Sequence, residues 1–212
     1  MVKFFCLIIF LWFLSVSVYS QTWFMEERGD MCGYVDSLGE IKIPFEYPVA
    51  YNEIFTDAIV FVLILEEGRG GVIKAIDRNN RKLFTVFTHT YGPDDVLEGL
   101  FRIQDDSTGY IGFADMNGRV IIPPRFFYVG PFGEGLAAFN TGGHIEPIDE
   151  EHTTVVGGKW GYINKEGKEV FPAIFDNAWS FYEGEANVRI GKYVFNISIS
   201  KNEKINKLLW QN

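Results

Sequence analysis

Residues 161–172 read GYINKEGKEVFP and residues 112–123 read GFADMNGRVIIP, so one pattern of glycine, turn and proline occurs twice. The agreement continues without a gap beyond the proline and reaches a Glu-Gly pair at residues 134–135 and again at residues 183–184. Self-similarity at a fixed spacing is typical of folds whose units bury apolar faces against their neighbours. The sequence therefore predicts an array built from one repeated unit.

Four copies of this unit can be aligned, starting near residues 33, 74, 112 and 161. A further fragment, residues 191–195, loosely repeats the start of the fourth copy. We interpret residues 191–212 as a degenerate terminal unit, of the kind that caps stacked arrays. The structural repeat positions are the recurring glycines, one tryptophan and the prolines of the returning strand: Gly33, Gly39, Gly112, Gly118, Trp160, Gly161, Gly167, Pro44, Pro123 and Pro172.

Each copy contains the same corner. In the fourth copy Asn164 takes the first position of a type I turn and Gly167 the fourth, where φ is positive. The second copy has Asn80 in place of this glycine, and Asn is the next most tolerant left-handed residue. Such a turn builds a short hairpin loop with a bulge. The returning strand is expected to stop at the proline, Pro172 in the fourth copy, because proline cannot donate to a ladder.

The fold class follows from these corners and from the absence of a convincing helical period in the array. We expect an all-β fold in which about four hairpin-based repeats, of about three strands each, stack as a curved, solenoid-like antiparallel array. Closure into a small β-propeller is the alternative, because the spacing of the unit starts overlaps the length of a propeller blade. The repeat domain is expected to cover residues 21–212.

This unit resembles the repeat of a known protein family. Residues 159–170 read KWGYINKEGKEV and are followed by Pro172, which is similar to the defining run of bacterial WG repeats. A later Phe-x-Glu-Gly-x-Ala, residues 181–186, closes the unit in the same way. Only the fourth copy has the Trp-Gly pair, since Cys32 and Ile111 precede the glycine in the first and third copies. The resemblance implies a bacterial, often exported β-repeat protein, and it brings no established catalytic residues or cofactor.

The first 20 residues do not belong to the repeat. Lys3 precedes an unbroken apolar run, residues 4–14, and a small residue, Ser20, ends the segment. This is the pattern of a secretory signal peptide, and the run is shorter than the roughly 20 residues that a membrane-spanning helix needs. We expect cleavage before Gln21 and a secreted or periplasmic product. An uncleaved membrane anchor is the alternative.

Charge and cysteine content exclude several classes of protein. The chain has a formal net charge of −9, and no basic face is apparent, so binding to nucleic acid or to an anionic membrane surface is not expected. After removal of the leader Cys32 is the only cysteine, which rules out an intramolecular disulfide. Cys32 occupies the position of Trp160 in the fourth copy, which favours packing over catalysis.

One insertion interrupts the third copy at residues 142–153. It carries two histidines and the carboxylates of Glu146, Asp149, Glu150 and Glu151. It lacks the ladder of a known calcium loop, so a solvated acidic loop is the simpler interpretation and a carboxylate site the alternative. The glutamates that recur once per unit, Glu98, Glu134 and Glu183, are expected to cap turns or form a ladder of hydrogen bonds. No metal, cofactor or catalytic motif is apparent.

Exposed aromatic rings are the remaining candidates for a ligand surface. Rings at equivalent positions, such as Phe126 and Phe175, are expected in the core, because packing between repeats requires equivalence. Trp179 and Tyr182 have glycines as counterparts in the third copy, so we expect them to be exposed. The candidate ligand surface consists of four residues, Trp179, Tyr182, Phe127 and Tyr128.

These observations favour a non-catalytic scaffold that binds a protein, a peptide or a glycan at the cell envelope. A cell-wall or glycan-active enzyme that uses the carboxylates of residues 144–151 is one alternative. A structural spacer is the other. The identity of the ligand does not follow from the sequence.

Overall fold

The computed structural model describes residues 22–89, 92–149 and 153–199; the proposed leader, residues 1–20, and most of the terminal fragment lie outside these ranges. The described chain is nearly all β, with antiparallel pairing, no helix and no sheet closed into a barrel, which confirms the predicted fold class. No helix in it is long and apolar enough to cross a membrane. In chain order the strands are β1 (Trp23–Arg28), β2 (Met31–Val35), β3 (Ile41–Tyr47), β4 (Val49–Ala50), β5 (Ile54–Phe55), β6 (Ile59–Glu66), β7 (Gly70–Asp77), β8 (Lys82–Val86), β9 (Thr88–His89), β10 (Gly92–Pro93), β11 (Leu100–Gln104), β12 (Ile111–Asp115), β13 (Val120–Phe126), β14 (Tyr128–Val129), β15 (Leu136–Asn140), β16 (His144–Pro147), β17 (Thr153–Val156), β18 (Trp160–Asn164), β19 (Glu169–Phe175), β20 (Asn177–Ala178), β21 (Glu185–Ile190) and β22 (Tyr193–Ser198).

The recurring structural element is an antiparallel sheet of three strands that combines two sequence units. The last strand of one unit pairs with the first strand of the next, which in turn pairs with its own returning strand. This gives β1-β2-β3, β6-β7-β8, β11-β12-β13 and β15-β18-β19, with β21-β22 as the start of a fifth sheet. The unit of structure is therefore offset by one strand from the unit of sequence, and each sheet links two units covalently and by hydrogen bonds.

The returning strand also connects successive sheets. After a one-residue bend, the continuation of β3 is β4, which pairs with β6 of the next sheet. In the same way β14 continues β13 and pairs with β15, and β20 continues β19 and pairs with β21. In the second unit β8 itself reaches β11 without a bend, and this joins two sheets into one of seven strands. Each returning strand thus fixes the position of the sheet that follows.

The apolar core of the described residues is divided into four clusters, each between two successive sheets. Along β6 the side chains alternate, with Ile59 and Phe61 in one cluster and Val60 and Val62 in the neighbouring one. This is the period of two expected of a strand whose two faces are both covered. Within the described residues no cluster joins the first sheet to the last, so the clusters follow one another in a line. That arrangement agrees with the stacked array.

The four corners have the predicted geometry. In each of them the first residue accepts a hydrogen bond from the fourth, at 2.8 to 3.0 Å, and the fourth residue has a positive φ. These fourth residues are Gly39, Asn80, Gly118 and Gly167, with φ of 78°, 60°, 76° and 75°. The side-chain oxygen of the first residue also accepts a backbone N–H from the residue after the turn, at 2.8 Å in the bond from Lys168 to Asn164. The corner is therefore a local device that each unit encodes for itself.

The prediction that the returning strand ends at the proline was wrong. Strand β19 continues through Pro172 to Phe175, and β3 and β13 likewise contain their prolines. At this point the pairing register shifts, because the single residue Gly161 lies opposite three residues of β19. A Cβ added to Gly161 would lie 2.6 Å from the carbonyl oxygen of Phe171. The proline sits in this bulge, where no ladder N–H is needed, and glycine is required because the two backbones approach so closely.

The second unit shows what replaces this pairing of glycine and proline. Lys74 and Thr85 pair directly, without the bulge. The ammonium of Lys74 is buried and donates to the hydroxyl of Thr85 at 2.7 Å and to the carboxylate of Asp106 at 2.7 Å. Glu66 lies 3.4 Å from the same ammonium. This unit therefore has neither the repeat glycine nor the proline, and its strands pair at this point without a bulge.

A fifth unit starts with β22, in a register that differs by one residue from the sequence alignment. Glu185 pairs with Ser198, as Leu136 pairs with Asn164 in the preceding sheet. Phe195 therefore occupies the position of Gly161, not that of Tyr162. The sequence alignment therefore assigns Phe195 to a repeat position one residue too late.

Candidate functional site

The exposed side chain of Trp179 separates two grooves near the last sheet. We call them the terminal groove, which lies on the outer face of β21 and β22, and the hairpin groove, which lies between β16-β17 and the array. The terminal groove has a volume of about 540 Å³ and is lined by Trp179, Ser180, Tyr182, Glu183, Glu185, Ala186, Asn187, Val194 and Asn196. The hairpin groove has a volume of about 480 Å³ and is lined by Tyr128, Ile145, Thr154, Val155, Trp160, Asn177, Ala178 and Trp179.

The backbone of Trp179 is held on both sides. Its N–H donates to the carbonyl of Asn187 at 3.0 Å, and its carbonyl accepts from the hydroxyl of Tyr162 at 2.6 Å. Tyr162 is fully buried, and this burial raises the pKa of its hydroxyl far above the ordinary value, which keeps it a donor. Tyr34, at the equivalent position of the first unit, makes the same kind of bond to the carbonyl of Asn52 at 2.7 Å. The position of Trp179 is therefore built by the repeat itself.

The contrast with glycine in the third copy has a structural reason. A Cβ added to Gly133 would lie 3.5 Å from the carbonyl of Phe181, because the next unit packs over that position. Tyr182 is the counterpart of Gly133, and within the described residues no further unit covers it. It is 75% exposed, and Trp179 is 46% exposed. Both rings are therefore exposed in the part of the chain that the structure describes.

The other two aromatic candidates differ from this pair. Tyr128 is half-buried, packs edge-on against the ring of Trp160 with centroids 5.8 Å apart, and lines the hairpin groove. Phe127 is half-buried and lines neither groove. The structure thus brings Tyr128 and Trp179 to the same groove and leaves Phe127 outside it. Equivalent core rings are buried as predicted, including Phe126, Phe132, Phe175 and Phe181.

The insertion of the third copy is a β-hairpin, and the predicted loop was wrong at this point. Its strands are β16 and β17, which pair over four residues and form one wall of the hairpin groove. Strand β16 is exposed along its length, and in β17 Val155 and Val156 are half-buried, so the sequence offered little signal beyond two valines and two threonines in β17. The insertion therefore contributes shape, through Ile145, Thr154 and Val155, as well as charge.

The carboxylates of the insertion are only partly described. Glu146 pairs with the imidazole of His144 at 2.6 Å, and both side chains are more than half exposed. Asp149 follows the first strand and is exposed. Glu150 and Glu151 lie outside the described residues. In the part of the chain that the structure describes, no group of three or more His, Cys, Asp or Glu side chains could hold a metal ion.

The recurring glutamates form a ladder of hydrogen bonds, as predicted. Each lies in a tight turn with a φ of 52° or 53°, followed by a glycine with positive φ. The carboxylate of Glu98 accepts the N–H of Gly135 at 3.1 Å, and that of Glu134 accepts the N–H of Gly184 at 2.8 Å. Each carboxylate thus binds the turn of the following unit. Glu183 is the next in the series, and it is exposed at the terminal groove.

The first step of the ladder is also charged. The ammonium of Lys165 lies 2.9 Å from the carboxylate of Glu98 and donates to its backbone carbonyl at 3.0 Å. The hydrogen bond from Lys165 and that from Gly135 together hold the pKa of Glu98 below its ordinary value, despite partial burial. Glu98 therefore acts as a bound anion between units.

Two further buried groups have structural roles. Cys32 is a buried free thiol that pairs with Tyr47, as Trp160 pairs with Phe175, so its position belongs to the packing of the repeat. A buried ion pair joins Arg102 and Asp94, and the backbone N–H of Arg102 also donates to that carboxylate at 2.8 Å. Sequence reasoning missed this pair because its members come from a short irregular segment and a core strand.

Comparison with known proteins agrees with the repeat architecture. A family model described as WG containing repeat matches three regions of the chain, residues 33–53, 111–143 and 160–193. No curated protein matches the chain. The three regions are the first, third and fourth units, and the unmatched second unit is the one with Lys74 in place of the repeat glycine.

Proposed function

This chain belongs to the WG-repeat proteins, and from that premise we propose that it is a non-catalytic binding scaffold whose ligand surface is centred on Trp179. The repeat supplies rigid, stacked sheets, and the last described unit departs from the repeat by presenting rings where the third has glycines. Rigid surfaces of this kind present side chains with little loss of conformational freedom on binding.

The observation that carries the proposal is the exposed ring of Trp179 between two grooves, on a backbone fixed by Tyr162 and Asn187. Large exposed aromatic side chains are costly in water and are enriched at binding surfaces. The two grooves adjoin the same ring, so an extended ligand can contact both. Their combined lining includes aromatic rings, amides and carboxylates, which suits a peptide or a glycan.

A catalytic role receives less support from the same geometry. The carboxylate of Glu146 is more than half exposed and already paired with His144. A general acid is usually tuned by burial, which raises the pKa of its carboxyl group. We therefore assign the hairpin to the wall of the ligand groove.

We also propose that residues 1–20 direct export and that the scaffold acts in the cell envelope. The supporting observation is the leader pattern of a single lysine, an apolar run and a terminal small residue. Expression with the native leader in a bacterial host is expected to give a periplasmic or secreted product that starts at Gln21. Mass spectrometry of the intact product tests this, and a product that retains residue 1 would contradict it.

The binding proposal is tested with the Trp179→Ala variant. A panel of labelled eight-residue peptides and of neutral oligosaccharides, including chitohexaose, is titrated against the full chain by fluorescence anisotropy. We expect at least one class to bind and the variant to lose about tenfold or more in affinity, the effect of removing an aromatic anchor. Leu38→Ala is the matched control, because Leu38 is an exposed apolar residue at the tip of the first corner. Absence of binding by every probe, or equal binding by the variant, would refute the proposal.

A further inference from the structure

The terminal groove presents polar side chains at positions that are core positions in earlier sheets. Glu185 corresponds to Leu136, which is buried, because both lie opposite the corner residue of the next strand. By the same register Asn187 corresponds to Ala138 and Asn196 to Tyr162, both buried. The outer face of the last described sheet therefore carries polar side chains at positions where the preceding sheet packs against its neighbour.

Among the described residues, no cation lies beside the carboxylates in the lining of this groove. Glu183 and Glu185 both line it, and the remaining lining residues are neutral. The chain as a whole is acidic, with a formal net charge of −9. Aromatic rings attract cations to their faces, and the exposed rings of Trp179 and Tyr182 adjoin these carboxylates. A ligand with a positive charge complements this surface.

The glutamate ladder indicates the second feature of the ligand. At two successive steps, a glutamate in the same turn accepts a backbone N–H from the polypeptide that packs against it. Glu183 occupies the next step, with the same φ of 52° and no partner among the described residues. A polypeptide that packed there would meet the same acceptor. The terminal groove is thus continuous with an interface that the protein already forms twice.

We propose that the terminal groove binds an extended peptide segment that contains lysine or arginine. The basic side chain of the peptide lies near Glu185 and the two aromatic rings, and a backbone N–H of the peptide donates to Glu183. This inference rests on the proposed binding function and names the class of partner. A neutral glycan would satisfy the rings and the amides, but it would leave both carboxylates without a counter-charge. The peptide is therefore the occupant that the charges favour.

The test uses the full chain and a set of 256 cellulose-bound peptides in which four central positions are Lys, Leu, Gly or Glu, flanked by glycines. Binding is expected to rise with lysine next to leucine and to fall with glutamate. The best peptide is then titrated in solution at low and high salt. We expect weaker binding at high salt, since partly exposed charge pairs are screened.

Matched variants locate the site. Glu183→Gln and Glu185→Gln are each expected to lower peptide affinity about tenfold, as loss of a charge-assisted contact does, without changing the melting temperature. Glu134→Gln is expected to lower the melting temperature and to leave peptide affinity unchanged, because Glu134 accepts a hydrogen bond from Gly184 within the fold. Glu166→Gln, at an exposed corner residue, is the charge control and is expected to change neither.

Three results would overturn the inference: binding that does not depend on lysine, full affinity in both Glu183→Gln and Glu185→Gln, or selection of chitohexaose in place of every peptide. In the last case a loss of glycan binding in Trp179→Ala would still support the scaffold proposal. The two proposals therefore fail separately.

Discussion

The close approach of two backbones at the repeat glycine can be tested by Gly112→Ala. A Cβ at this position would lie 2.3 Å from the carbonyl oxygen of Ile122 and 2.5 Å from the nitrogen of Pro124. Ordinary contacts begin at 3.4 Å, so backbone atoms on the bulged strand would have to move by roughly 1 Å. Because φ at Gly112 is not positive, the penalty comes from space alone.

The cost of such overpacking is about 3 kcal/mol, at the upper end of the usual range, because backbone atoms yield less than side chains. For a chain of this size that lowers the melting temperature by about 6–12 °C. Differential scanning calorimetry measures this directly. The control is Gly130→Ala, because the nearest atom to an added Cβ is 3.7 Å away and φ is again not positive. That variant is expected to melt within about 2 °C of the parent chain. Equal melting temperatures for the two variants would refute the assignment of the glycine to the bulge.

Three further results are expected. Gly167→Ala should lower the free energy of unfolding, measured by urea titration, more than Gly39→Ala does. Both glycines have a φ near 75°, but only Gly167 is crowded, with neighbouring atoms 3.1 Å from the added Cβ. Equal losses of unfolding free energy in the two variants would contradict this. Burial disfavours the charged form of Asp115, but hydrogen bonds from Arg119 and Asn117 outweigh this effect and lower the pKa of the carboxyl group. The contribution of Asp115 to stability is therefore present above about pH 4 and is lost as pH falls through the lowered pKa. Asp115→Asn should therefore flatten the acid limb of the stability curve while keeping the turn, as Asn164 does in the fourth unit, and an unchanged limb would count against this origin. Cys32→Ala should leave peptide affinity unchanged in anisotropy titrations, whereas a loss would show that the thiol does more than pack.

The sequence by itself determined the local geometry of each unit. The four corners could be predicted because a type I turn with a left-handed fourth residue depends on a few adjacent side chains, above all on Gly or Asn at that position. The buried rings Phe126 and Phe175 could be predicted because equivalent positions of a repeat have equivalent surroundings. The exposure expected for Trp179 and Tyr182 came from the same comparison, and for Tyr182 the structure gives the reason, because the next unit packs over its counterpart Gly133.

Only the tertiary structure decided how the units meet. Hydrogen bonds between β15 and β18 cross from one sequence unit to the next, and no local pattern states which strand will be the neighbour. The role of Pro172 depends on the bulge opposite Gly161, so it was visible only once the two strands were paired. The ladder from Glu134 to Gly184 and the groove beside Glu183 likewise arise from contacts between distant residues. Short-range turn chemistry is written in adjacent residues, whereas pairing, close approach and grooves depend on where the rest of the chain lies.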